Sequence, residues 1–171
     1  MGALNGAMAK YERDYRPISL ALAHVAGERE ARLRAAADTV WRHFKDEGVS
    51  WVGFYLKTAG VDEMVLGPSR DKPACTPLGM HGACGQCWLK RRPLVIADVH
   101  TLGAGYIACD PRDRSELVLP LYDKGGECWG VLDVDSHDRD AFGEHDAREL
   151  KRIMEAAGIS WPKPYVEALY L

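Results

Sequence analysis

Between Ile107 and Asp135 the chain gathers groups suited to redox and proton chemistry. The segment reads IACDPRDRSE, then LVLPLY, DKGGE and CWGVLDVD. Cys109 offers a thiol on an irregular stretch, Glu116 heads the first apolar run, and Asp133 and Asp135 end the second. A thiolate is a nucleophile, and its sulfur passes through a sulfenic acid to a disulfide. Crowded carboxyls hold a proton near neutrality, because each charge raises its neighbour's pKa, and a protonated carboxyl can act as a general acid. Read alone, the two Asp residues fit the end of a strand at the water surface equally well. The thiol on the adjoining loop favours a site.

These groups meet only if a hairpin gathers them. Strand side chains alternate faces, which puts Trp129, Val131, Asp133 and Asp135 on one face and Leu132 and Val134 on the other, with Cys128 on the apolar side as buried core. In the partner run Leu117, Leu119 and Leu121 face away from Glu116 and Val118. The Gly-rich DKGGE suits a hairpin connection. Matching the apolar faces sets Leu117 near Leu132, and Glu116 opposite Asp133 or one pair away at Asp135. The carboxylates then collect at one end of one sheet face.

With 171 residues, 47% of them hydrophobic, the chain can bury the core of one domain. A net charge of −3 without a basic face argues against nucleic-acid binding. No apolar run approaches membrane-spanning length, and MGALNGAMAKYERDY turns polar too early for a secretory signal. A cytoplasmic location is the expectation. There, Cys75, Cys84, Cys87, Cys109 and Cys128 are expected free, catalytic or metal-bound rather than in structural disulfides.

Residues 1–26 read as a leader whose weak helical signal breaks near Pro17, residues 27–158 as one domain, and residues 159–171 as a Pro-interrupted aromatic tail that packs on the domain or on a partner subunit. Leu33, Ala37, Val40, Trp41 and Phe44 recur at helical spacing, predicting a helix over 27–47 that stops at Gly48. Strands follow at 51–56 and 63–67, a loop at 68–82, a short helix at 83–90, a strand at 94–96, a loop at 98–109, the hairpin, and a helix at 143–157 with Phe142 stapling its entry. An antiparallel sheet with flanking helices is an α+β fold. Trp51, Gly53 and Tyr55 share a face opposite Val52, Phe54 and Leu56; that aromatic face is core or the wall of a pocket. The two loops are long for so compact a chain, and such loops usually carry function.

Cys75, Cys84 and Cys109 fall on loops or at a helix start, where a thiol can be reached, and a helix N-terminus favours the Cys84 thiolate. Cys84 and Cys87 form a C-x-x-C. It reads as a dithiol pair, as half a zinc site completed by Cys75, Cys109, His81 or His100, or with Cys87 simply apolar on a helix face.

Together the blocks WVGFYL, VLGPSRDKPAC, GACG, DVH, IACD, RSELVLPL and GVLDVDS resemble the free methionine-(R)-sulfoxide reductases, a catalytic branch of GAF domains, over roughly residues 30–157. The resemblance implies a single GAF-like domain that reduces free methionine-R-sulfoxide, needs no bound cofactor and is recycled by thioredoxin. It gives Cys109 the catalytic position, Cys75 the resolving one and Cys84 that of a further cysteine in disulfide exchange. Glu116, Asp133 and Asp135 match substrate-binding carboxylates, and Trp51 and Tyr55 match pocket aromatics. Homodimers are common in that family, and the aromatic tail is a candidate contact. The stretch between Cys75 and Cys84 is one residue shorter than the family pattern, that between His100 and Cys109 one longer, and Cys87 is extra. Which of Cys75, Cys84 and Cys87 resolves the intermediate stays open at this level. The competing reading is a GAF sensor that binds a small ligand without chemistry.

Overall fold

A computed structural model describes residues 9–106 and 109–171; the first eight residues, with Ile107 and Ala108 of the IACD block, lie outside it. The elements in order are α1 (Arg16–Leu22), α2 (Arg29–Phe44), β1 (Trp51–Lys57), β2 (Glu63–Arg70), β3 (Leu78–Gly79), α3 (Ala83–Lys90), β4 (Leu94–Ile96), a 3-10 segment (Val99–Gly105), β5 (Ser115–Tyr122), β6 (Cys128–Ser136), α4 (Glu144–Ala156) and β7 (Leu169–Tyr170). The strands form one sheet in the order β3-β2-β1-β6-β5-β4-β7. Its pairs are antiparallel except β4 with β7, so the expected antiparallel sheet gains a parallel edge strand from the tail. The fold is α+β, as the pattern predicts.

The sheet is covered differently on its two faces. One face sends Val52, Phe54, Leu117, Leu119, Leu132 and Val134 into a core shared with Leu33 and Val40 of α2, Ile18 of α1, and Leu150 and Ile153 of α4. The other sends Trp51, Tyr55, Val118 and Val131 toward Cys84 and Cys87 of α3. The alternation in VLDVDS thus separates a dry face from one that meets a single short helix and two loops.

Several boundaries differ from the sequence expectation. Pro17 sits in the first turn of α1 and starts that helix instead of breaking it, because a missing N–H costs nothing there. Ile18 and Leu22 then pack into the main core. The expected loop 68–82 contains the end of β2 and all of β3, and the loop 98–109 contains the 3-10 segment. β2 runs on past Pro68 because β3 pairs only with Glu63 and Met64, leaving the outer edge beside Pro68 without a ladder to interrupt.

The central hairpin is in register with Glu116 opposite Asp135, so Leu117 pairs with Val134 and Leu119, not Leu117, pairs with Leu132. The shift comes from a bulge between Leu121 and Tyr122, where Tyr122 pairs with Cys128 and Leu121 with Gly130. Without the extra Trp129, the turn's closure would set Leu117 against Asp133. The bulge restores apolar against apolar. It also moves two side chains from their expected faces. Trp129 packs on the main core, with the Arg29 guanidinium 4.6 Å from its ring. Cys128 is buried as expected, but on the α3 side, near Arg91.

Candidate active site

At one end of the α3 face lies a cavity of about 470 Å³ of empty space, its open mouth included. Its walls include Trp51, Tyr55, Cys84, Cys109, Glu116, Asp133 and Asp135, so it gathers every residue given a role by the family resemblance except Cys75. Cys75 reaches the site through a disulfide to Cys109, with the two Cα atoms 5.5 Å apart. That span is usual for a disulfide.

Each wall has a local cause. Asp133 pairs with Gly53 of β1. A Cβ at Gly53 would stand 2.4 Å from the Trp51 ring, so glycine there lets the indole lie down along the strand. The ring meets Tyr55 at a centroid distance of 6.0 Å. Both aromatics also hold the loop that carries Cys75. Trp51 Nε1 donates to the Lys72 carbonyl at 3.0 Å and the Tyr55 hydroxyl to the Cys75 carbonyl at 2.9 Å. On the far side, a Cβ at Gly85 would lie 2.3 Å from the Met80 backbone, so glycine lets the first turn of α3 press against that chain.

This close approach changes the character of Cys84. Its thiol is 3% exposed and donates to Asp133 Oδ2 at 3.2 Å. Burial, then the charges of Asp133 and Glu116, pushes its pKa well up. The helix N-terminus does not leave Cys84 a reachable, easily ionised thiol, because burial and neighbouring acids outweigh the few peptide dipoles of so short a helix. Cys87 is fully buried and donates to the Arg92 carbonyl at 3.3 Å, which fits its reading as a helix-face core residue. Cys84, Cys87 and Cys128 are all free thiols.

Glu116 and Asp133 are buried, and Asp135 is partly buried beside them. Burial first, then the Asp133 charge, raises the Glu116 pKa well above the usual carboxylate range. Burial followed by the charges of Asp133 and Glu116 does the same to Asp135. Burial pushes Asp133 up to about 7, held back by its hydrogen bonds from Cys84 and Glu116. Asp133 Oδ1 is buried without a hydrogen-bond partner among the described residues. The cluster therefore keeps protons at neutral pH while offering lone pairs to an incoming cation.

Two further wall residues were missed by the sequence reading. Tyr106, three residues before Cys109, and Asp113 line the cavity beside the other acids. Their signal was only proximity to Cys109, since neither lies on a periodic element.

Among nearby cations, Lys72 and Arg112 bind Asp110, Lys72 also reaches the wall residue Asp113, and Arg114 binds Asp98 outside the cavity. The side chains named for a zinc site do not converge: His81 and His100 are exposed, His100 lies beside Asp98, and Cys75 and Cys109 bond to each other. Cys84, Glu116 and Asp133 do bring ligand atoms within 4.8 Å of one another. Their donor set would suit a soft divalent ion only with all three deprotonated, against the raised pKa values above.

Residues 26–161 match the family model described as GAF domain. The chain is 36% identical over 132 residues to the free methionine-R-sulfoxide reductase of Escherichia coli (strain K12), the match covering 76% of this chain and 77% of that protein. The chain belongs to the GAF domains, in the free methionine-R-sulfoxide reductase family. Within the same family, the X-ray structure of the Neisseria meningitidis reductase in complex with its substrate superposes with a TM-score of 0.75 at 34% identity, covering 92% of this chain and 93% of that one. A "GAF domain-containing protein A" of Dictyostelium discoideum is 42% identical over 106 residues, a match that spans 61% of this chain and 65% of that relative. Among the described residues no helix is long and apolar enough to cross a membrane.

Proposed function

We propose that this protein reduces free L-methionine-(R)-S-oxide to methionine with Cys109 as nucleophile and Cys75 as resolving thiol. The observation that carries the reading is a disulfide joining these two cysteines at the mouth of a cavity walled by Glu116, Asp133 and Asp135. The reduced Cys109 sulfur attacks the sulfoxide sulfur while a protonated member of the acid cluster donates to the sulfoxide oxygen. The protonated oxygen passes from the substrate sulfur to the Cys109 sulfur, the bond between the two sulfurs breaks with its electron pair going to the substrate sulfur, and methionine departs, leaving Cys109 as a sulfenic acid. Cys75 then attacks that sulfur, water departs and the disulfide forms. A thioredoxin-type dithiol returns both sulfurs to thiols, with no bound cofactor, in the cytoplasm, where the remaining thiols stay free.

The free amino acid is favoured because an ionised member of the cluster holds its ammonium, a group absent from a methionine inside a peptide. Trp51 and Tyr55 supply an apolar wall for its side chain. Cys84 is hydrogen-bonded to Asp133 in the oxidised form and must leave that bond to take part in exchange with the disulfide.

The test is consumption of each sulfoxide epimer by wild type and by Cys109→Ser, with thioredoxin, its reductase and NADPH. Wild type is expected to consume the free R epimer and to spare the S epimer and peptide-bound substrate, and Cys109→Ser to lose turnover. Undiminished turnover by Cys109→Ser would overturn the assignment.

A further inference from the structure

Cys75 and Cys109 sit on two separate irregular segments, one between β2 and β3, the other between the 3-10 segment and β5. The disulfide links them in the oxidised protein. In the reduced protein, something else must keep the two sulfurs close, or resolution waits on a loop search.

A set of charges spans that gap. Lys72, three residues before Cys75, reaches across to Asp110, the residue after Cys109, with Nζ 2.5 Å from Asp110 Oδ2 and 3.4 Å from Asp113 Oδ1. His137 Nε2 lies 3.2 Å from Asp110 Oδ2 and 3.5 Å from Asp113 Oδ1. Arg112 orients Asp110 from within its own segment, through its backbone N–H at 3.0 Å and its guanidinium at 2.8 Å. Ser50 Oγ donates to Asp113 at 3.2 Å and anchors the cluster beside β1. The Asp110 and Asp113 side chains are 8% and 3% exposed, so these contacts work in a medium poorer in water than a surface pair. Asp110, Asp113 and His137 would by themselves resemble a cation site. The Lys72 ammonium lies within 3.4 Å of an atom of each and takes that place.

We propose that Lys72 and Asp110 are positioning residues for resolution: their ion pair clasps the two cysteine segments and holds the Cys75 thiol against Cys109 when the disulfide is open. Neither residue lines the substrate cavity or touches the reacting atoms, and the clasp rests on the reading that these two cysteines form the working pair. Its effect is on the effective concentration of one thiol at the other. That quantity sets both the closure rate and the stability of the disulfide.

The experiment uses the full chain and compares wild type with Lys72→Met, Asp110→Asn, the double variant and Lys72→Arg. Each is equilibrated in dithiothreitol redox buffers, and the Cys75 and Cys109 peptides are followed by alkylation and mass spectrometry. Lys72→Met and Asp110→Asn are each expected to lower the effective concentration about tenfold, which raises the reduction potential by about 30 mV. The double variant should go little further than either single change, and Lys72→Arg should stay close to wild type, since both act through one ion pair. In single turnover, methionine release from the reduced variants should stay within about twofold of wild type while closure slows about tenfold. Potentials unchanged in both single variants, or fully additive in the double, would overturn the clasp. So would a loss of methionine release equal to the loss of closure rate. Potentials that shift as expected in a protein releasing no methionine would uphold the clasp and sink the proposed reaction instead.

Discussion

Leu132 and Asp133 are neighbours on β6, both buried, and they face opposite worlds. Leu132 points into a core closed by α1, α2 and α4, where neighbours on every side are apolar. Asp133 points into a cavity where Cys84 donates to it and Glu116 crowds it. The first face is built to be stable. The second holds groups that would be more stable apart, and it is kept together by the first. One alternating strand therefore carries fold and chemistry side by side, and substitutions one residue apart should separate them.

Leu132→Ala should cost about 2–5 kcal/mol in urea unfolding, because the dry core cannot collapse around the lost volume. Turnover per folded molecule should stay within about twofold of wild type. Asp133→Asn should do the reverse, leaving stability at neutral pH equal or higher and cutting turnover by about a hundredfold or more through loss of a proton donor. If Leu132→Ala lowered turnover of the folded fraction as far as Asp133→Asn, the division between the faces would fail.

The crowded face should also show itself in pH dependence. Asp133, Glu116, Asp135 and Asp113 all have pKa values raised in the fold, chiefly by burial. A carboxyl with a raised folded pKa favours the protonated folded form. Its contribution is full below its unfolded pKa and is lost as pH rises through the folded one. For Asp133 that window runs from 3.8 to about 7. Within it, stability should fall by up to about 1.4 kcal/mol per pH unit for each proton lost. Asn stays neutral throughout, so Asp133→Asn should gain on wild type as pH rises across the window. Parallel unfolding curves for the two proteins from pH 4 to 7 would contradict the burial of these acids.

The dry face was the more legible of the two. Period-2 alternation in VLDVDS and SELVLPL and the helical stripe of α2 suffice to predict it, because each apolar residue there answers only to packing. The acid trio was legible for the same reason, as the polar half of that alternation. The bulge at Trp129 was not. It resolves a mismatch between where the turn closes and where the apolar faces match, and neither appears in a single strand's pattern. Cys84 was misplaced because its surroundings depend on Met80 pressing on α3, a contact between two irregular stretches. Tyr106, Asp113 and the Lys72–Asp110 pair were hidden likewise. Lys72 and Asp110 stand 38 residues apart on segments with no period to align them.

The finest test of the comparison takes the neighbouring pair on β1. Phe54 belongs to the dry core and Tyr55 to the cavity wall, and the two side chains differ chiefly in one hydroxyl. That hydroxyl donates to the Cys75 carbonyl. Tyr55→Phe keeps the ring beside Trp51 and removes one hydrogen bond from the wall to the Cys75 segment. Global stability should fall by about 1 kcal/mol or less, the usual net worth of one such bond. The local effect should be larger than the global one, because the segment it restrains is irregular and lies outside the sheet ladder. Amide exchange over residues 72–76 of the reduced protein should quicken several-fold while the amides of β1 and β6 keep their protection. Uniform quickening across the sheet would mean that Tyr55 serves the core as Phe54 does, and that this part of the cavity wall is only the back of the dry face.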